Sequence, residues 1–161
     1  MISRLPPLLA LLLVAGCAGL TPFGRASLPE AEGLVVLESE NSVDDTFRRL
    51  ERAVESREPL SILARVDHAA NARSVGLRLP PTKLLVFGNP RLGTPLLRLA
   101  PTVAIDLPQK MLVYEDDRGR VFIAYNDPLY LAERHGIDDE APELEQMSGA
   151  LRGLAAEAGG R

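Results

Sequence analysis

The sequence predicts an α+β fold: a single compact domain, one mainly antiparallel sheet packed by helices, in the order β-α-β(4)-α. Three observations carry that prediction. Short runs of β-branched or alternating apolar residues recur between turn residues. Two stretches, beginning at Ser42 and at Glu143, place apolar residues at helical spacing. Asp116-Asp117-Arg118-Gly119 joins two apolar runs as a hairpin, with Gly119 supplying the positive φ that such loops need.

The elements follow in order. Leu34-Val35-Val36-Leu37 reads as a first strand. Ser42, with Asp45 three residues on, resembles a capping box, and Val43, Phe47, Leu50 and Val54 form the apolar stripe of a helix that Pro59 ends. Asp44/Arg48 and Asp45/Arg49 stand at favourable i,i+4 spacing on it. Leu60, Ile62, Ala64, Val66 and His68 alternate with other residues and predict a half-buried strand, which puts His68 in phase with the core face. A short helix is expected within residues 69–79, stopped by Pro80-Pro81, and then a central strand over Leu84 to Phe87.

Thr94-Pro95 reads as the start of another short helix. Val103, Ile105 and Leu107 then alternate as a strand that resumes beyond Pro108 with Met111 and Val113. The hairpin leads to Val121 to Tyr125. Asp127-Pro128 caps a short helix that Gly136 ends, and a last helix presents Leu144, Met147, Leu151 and Leu154 on one stripe.

At 161 residues, 46% apolar and 25% charged, the chain has single-domain length and ordinary globular composition. One cysteine and two histidines leave no multi-cysteine or Cys/His zinc framework and no internal disulfide, so no metal site is expected. A net charge of -4 with 4% aromatic residues and no Trp argues against nucleic acid as a partner.

Arg4 precedes an apolar run from Leu5 to Ala15, shorter than the roughly 20 residues a transmembrane helix needs and suited to a signal peptide. The run ends Leu13-Val14-Ala15-Gly16-Cys17, which resembles the lipobox of bacterial lipoproteins. The resemblance implies cleavage before Cys17 and lipidation of that cysteine, an effectively permanent membrane anchor. Ala18 rather than Asp follows, so the same resemblance implies the outer membrane, facing the periplasm. Residues 1–16 are thus read as a signal peptide, 17–32 as the lipidated N-terminus and a flexible tether, and 33–161 as the folded domain.

Several phrases of the domain are similar to one family: Asp67-His68-Ala69-Ala70-Asn71-Ala72, Phe87-Gly88-Asn89-Pro90, Gly93-Thr94-Pro95, Leu107-Pro108 and the hairpin from Tyr114-Glu115-Asp116 to Tyr125. Together they resemble the bacterial and archaeal family called domain of unknown function 302, over about residues 35–137. The resemblance implies a compact α+β domain with the β-α-β(4)-α layout and carries no reaction, cofactor or catalytic residue.

Candidate chemistry is sparse. His68 is the sharpest catalytic candidate, with Asn71 one turn further on, because histidine exchanges protons near neutral pH. Asp67 points to the opposite face of a strand, so a carboxylate from elsewhere, such as Asp106, would have to orient the ring. The competing reading makes His68 a structural group at the start of the next helix.

Gly88 to Thr94, with Asn89 and Arg91, is a glycine-containing loop ahead of a helix, a candidate anion site without P-loop or dinucleotide spacing; its structural reading is a turn needing Gly88 for its φ. Tyr114 and Tyr125 flank the hairpin as candidate cleft residues beside His68, or as amphipathic rim residues. The clusters at 115–117 and 138–140 lack a calcium-loop ladder and read as solvated loops. No Ser stands in a GxSxG context.

The sequence therefore favours a membrane-anchored periplasmic lipoprotein that acts as a ligand-binding or protein-interaction module, with His68, Asn71, Asn89, Arg91 and Tyr125 as candidate ligand contacts. Its expected partners are the membrane, through lipid on Cys17, and either a second copy paired at a sheet edge or an envelope protein. The alternative is a small enzyme using His68 as general acid or base on an anionic substrate that Asn89, Arg91 or Tyr125 positions.

Overall fold

A computed structural model describes residues 31–160; the expectations for the leader, for Cys17 and for the tether up to residue 30 lie outside the described residues. The strands are β1 (Leu34–Ser39), β2 (Ser61–Asp67), β3 (Thr82–Gly88), β4 (Gln109–Glu115) and β5 (Val121–Asn126). The helices are α1 (Val43–Glu55), α2 (His68–Ser74), α3 (Pro90–Leu99), α4 (Pro128–His135) and α5 (Pro142–Gly159), with a 3-10 turn at Pro101–Ile105.

All four strand pairings are antiparallel, in the order β1-β5-β4-β3-β2. The predicted architecture is the observed one. Register assigns the faces: Leu85, Met111, Val113, Ile123 and Tyr125 share the face that α1 and α5 cover, and all are buried. The opposite face carries Leu84, Leu112, Ala124 and the Tyr114–Phe122 ring pair, 5.5 Å between centroids. Among the described residues, no helix is long and apolar enough to cross a membrane.

Local chemistry explains the ends. Ser42 Oγ accepts the Asp45 N–H and caps α1 as expected. The ion pairs differ from the i,i+4 expectation: Arg48 pairs with Asp45, Arg49 donates to the Glu157 carbonyl at 2.8 Å, and Asp44 pairs with Lys83 of β3. In the β4–β5 hairpin, Asp116 Oδ1 accepts the N–H groups of Arg118 and Arg120, and Gly119 takes φ +75°. Gly136, at φ 65°, ends α4.

Two segments depart from their apparent period. In β2 the register slips between Ile62 and Ala64, so that Leu63 is bulged out and 59% exposed. Ile62 keeps the core face opposite Phe87, whereas Ala64 and Val66 pass to the other face and Arg65 comes to face α1, where it pairs with Glu51 and Glu55. The predicted core stripe therefore stops at Ile62. Residues 102–107, expected as strand, instead belong to or directly follow the 3-10 turn, with Val103 and Asp106 inward three residues apart and Ile105 75% exposed. Proline at 101 supplies no N–H and suits a helical first position, so the strand-like alternation is coincidental.

Candidate functional site

One end of the helix layer is left open. The start of β2, the end of β3, α3, the segment after the 3-10 turn and the middle turns of α5 surround a cavity of about 490 Å³. Its walls are almost wholly apolar: Leu60 just before β2 and Leu63 from it, Phe87 from β3, Leu92 and Leu97 from α3, Leu107 beyond the turn, and Met147, Leu151 and Leu154 from α5. Among the described residues, no Lys, Arg, His, Asp or Glu lines it. Size and lining match a small-molecule pocket, which typically holds roughly 300–1,000 Å³ and is mainly hydrophobic.

The backbone here explains the opening. Asn89 caps α3, its Oδ1 accepting the Arg91 N–H at 2.9 Å, and Pro90 occupies the first helical position. The helix thus starts five residues before the expected Thr94-Pro95, and Pro95 lies inside it. Gly88 takes no positive φ; its role is space, since a Cβ there would lie 3.3 Å from Pro108 Cβ across the cavity wall.

The residues singled out in the sequence do not converge. Ser61 pairs with Gly88 and Asp67 with Lys83, so β2 carries the chain from the cavity to the far end of the sheet. At about 3.3 Å per residue this separates His68 and Asn71 from Asn89 and Arg91 by about 20 Å. Asp67 caps α2, accepting the Ala70 N–H at 2.7 Å, while the half-buried His68 ring has no hydrogen-bond partner among the described residues. Asn71 lies exposed on α2. Asn89 borders the cavity; Arg91 is exposed beside it and outside the lining.

Tyr125 faces the helix layer and is 3% exposed, and its hydroxyl is buried without a partner among the described residues; that burial pushes its pKa up. Tyr114 points to the opposite face of the sheet, its pKa also raised by burial. Neither tyrosine lines the cavity.

A polar constellation that the sequence did not reveal sits nearby. His135, at the end of α4, places Nε2 2.7 Å from Asp106 Oδ2 and Nδ1 3.0 Å from Thr102 Oγ1. The His135 side chain is 6% exposed and that of Asp106 11%, with Arg134 Nη1 3.3 Å from the same carboxylate. An ionised carboxylate only accepts, so Nε2 carries the proton, and in neutral imidazole Nδ1 then accepts the Thr102 hydroxyl proton. Asp106 does orient a histidine, and it is His135 rather than His68. No spacing signal joins residues 29 apart on different elements.

With this geometry in place, the family model described as "Domain of unknown function DUF302" matches residues 35–154. The chain belongs to the DUF302 family. A crystal structure of an uncharacterized conserved DUF302 protein from Bacillus stearothermophilus shares the fold, with TM-score 0.70 at 19% identity, over 80% of this chain and 99% of that one. Two relatives named "Fluoride-specific ion channel FluC 1", from Brucella suis and Brucella abortus, are each 44% identical over 105 residues, 65% of this chain. Those residues are 41% and 38% of the relatives, so the DUF302 chain spans about two fifths of the curated proteins it matches.

Proposed function

We propose that this DUF302 domain is a binding module for a predominantly apolar small molecule, held at the outer membrane by lipid on Cys17 and facing the periplasm. The cavity between α3 and α5 carries the binding part. Apolar side chains make up most of its walls, yet the fold leaves it open rather than collapsing on it. An unfilled apolar cavity costs about 20 cal/mol per Å² of its surface, and a ligand that fills it recovers that loss. The lipobox-like Leu13 to Cys17 supports the membrane setting, as does the occurrence of similar sequence in proteins named as ion channels.

Titration of the protein with phenylnaphthylamine, a neutral dye that fluoresces in apolar surroundings, tests the binding reading. Saturable one-to-one binding is expected, and it should be lost in Leu97→Asp, which puts a charge in the cavity wall, with the circular dichroism spectrum unchanged. A wild-type chain that gives no saturable signal removes this reading. Growth with labelled palmitate should mark the wild type and leave Cys17→Ala unlabelled; label on neither chain ends the anchor.

A second reading, a small enzyme, is favoured by the Thr102–His135–Asp106 chain. Here His135 Nδ1 takes the Thr102 hydroxyl proton while Oγ1 attacks an electrophilic carbonyl or phosphoryl centre, the bond to the leaving group breaks and His135 returns the proton to that group, and Asp106 holds the ring. A fluorophosphonate probe should then label Thr102, fluoride leaving, and the label should vanish in His135→Ala. An unlabelled wild-type Thr102 removes this enzyme.

A further inference from the structure

The cavity contains one polar side chain with no structural reason to be there. Of its polar lining residues, Ser61 and Thr94 are exposed and Asn89 is committed to capping α3. Gln109, by contrast, is 6% exposed, set on the core face at the first position of β4 opposite Phe87. Its Nε2 lies 2.7 Å from Met147 Sδ, and a thioether is a weak acceptor. Its Oε1 has no partner among the described residues and is absent from the fully enclosed unpartnered atoms, so it keeps access to the cavity that Gln109 lines. Leu or Met at this position would pack against Phe87 and Met147 without an amide to desolvate. Among the described residues no protein group completes the hydrogen bonds of the amide, and a cavity occupant with a polar head can.

We propose that Gln109 is the specificity-determining residue of the cavity and that its ligand is an aliphatic molecule with one neutral hydrogen-bonding head, a hydroxyl or amide. The proposal rests on the cavity being the ligand site. The head bonds the Gln109 amide, and the aliphatic part lies along Leu63, Leu92, Leu97 and Leu107. A hydroxyl both donates and accepts, so it satisfies either orientation of the amide. A carboxylate or ammonium head is disfavoured because no side chain of the lining carries a charge to balance it.

The test is displacement of phenylnaphthylamine from the full chain by octanol, nonane and octanoate. Octanol should displace the dye at a concentration about tenfold lower than nonane, because nonane leaves the buried amide unpaired. Octanoate should be the weakest relative to its chain length. Gln109→Met, close to isosteric, should keep dye and nonane binding and lose the octanol preference. Equal displacement by octanol and nonane in the wild type, an unchanged preference in Gln109→Met, or octanoate as the best competitor each overturns the proposal while the cavity reading stands. Absence of dye binding to the wild type overturns the cavity reading and this inference together.

Discussion

The two ends of α5 meet the same sheet and behave differently. Its C-terminal end is sealed: Ala155 and Ala158 and, from the facing α1, Leu50, Ala53 and Val54 are all fully buried. Small residues let the helices approach closely, and the last residue of α5 is held down by polar bonds, with the Gly159 carbonyl accepting from Glu40 N–H at 3.0 Å and from Asn41 Nδ2 at 3.2 Å. The earlier turns bring larger side chains, Met147, Leu151 and Leu154, and still leave a cavity. Closure therefore depends on the partner helix more than on apolar content. α1 has 13 uninterrupted residues, whereas α3 has 10, with Pro95 inside and Pro101 directly after Ala100. Those prolines fix the path of α3 and the turn, and the side chains cannot draw the backbone inward.

The sharpest way to break the sealed end is Leu50→Ala. It should destabilise the domain by about 2–5 kcal/mol in denaturant unfolding, because close packing around it prevents collapse into the hole. A cost below about 1 kcal/mol would show that the seam is loose.

One substitution type, made twice in α5, sharpens the contrast. Ala155→Leu overpacks the α1 seam and should cost about 1–3 kcal/mol. Ala150→Leu extends into the cavity, so it should change stability by less than about 0.5 kcal/mol and abolish dye binding. Equal effects at the two positions would contradict the distinction between the sealed end and the earlier turns.

The smallest expected effect lies at the rim of the sealed end. Lys83 donates to Asp44 at 2.6 Å, and this hydrogen bond, with the attraction between the charges, holds the Asp44 pKa below its ordinary 3.8. A depressed carboxylate pKa stabilises the fold above the unfolded value, and the contribution is lost as pH falls through the lower folded value. Asp44 is 65% exposed, so solvent screening keeps this under about 1 kcal/mol. Lys83→Met should lower stability at about pH 6 and leave it unchanged near about pH 2, which reduces the slope between them. An unaltered slope would assign the acid sensitivity to other groups.

Much of the fold was legible because it rests on local rules. The Ser42 cap, the stripe from Val43 to Val54, the Asp116 hairpin, the Asp127-Pro128 start and the stripe of α5 each depend on residues within two turns of one another. Misreadings came where two local patterns coincide. Alternation from Leu60 to His68 describes an unbroken strand, and nothing local announces the bulge at Leu63, which places Arg65 rather than Ala64 toward α1. Alternation at 103, 105 and 107 likewise matched a strand, while Pro101 and the burial of Val103 and Asp106 obey a three-residue period.

The candidate site was much less legible than the fold. Asn89 was found at the cavity edge, but its side chain serves the helix start. Gln109 is silent in the sequence because a lone glutamine after a proline has no motif; only its burial beside Met147 gives it meaning. His135 and Asp106 meet because α4 returns across the 3-10 turn.

By itself, the sequence determined the order and type of the main elements, the antiparallel hairpin and the family likeness, since periodicity, caps and turn residues act over short distances. Tertiary structure decided which face each residue of β2 presents, which carboxylate meets which histidine, and that apolar residues from five separate segments enclose a cavity. Those outcomes depend on how helices of unequal length settle on one sheet, a property of packing geometry that no local window of residues contains.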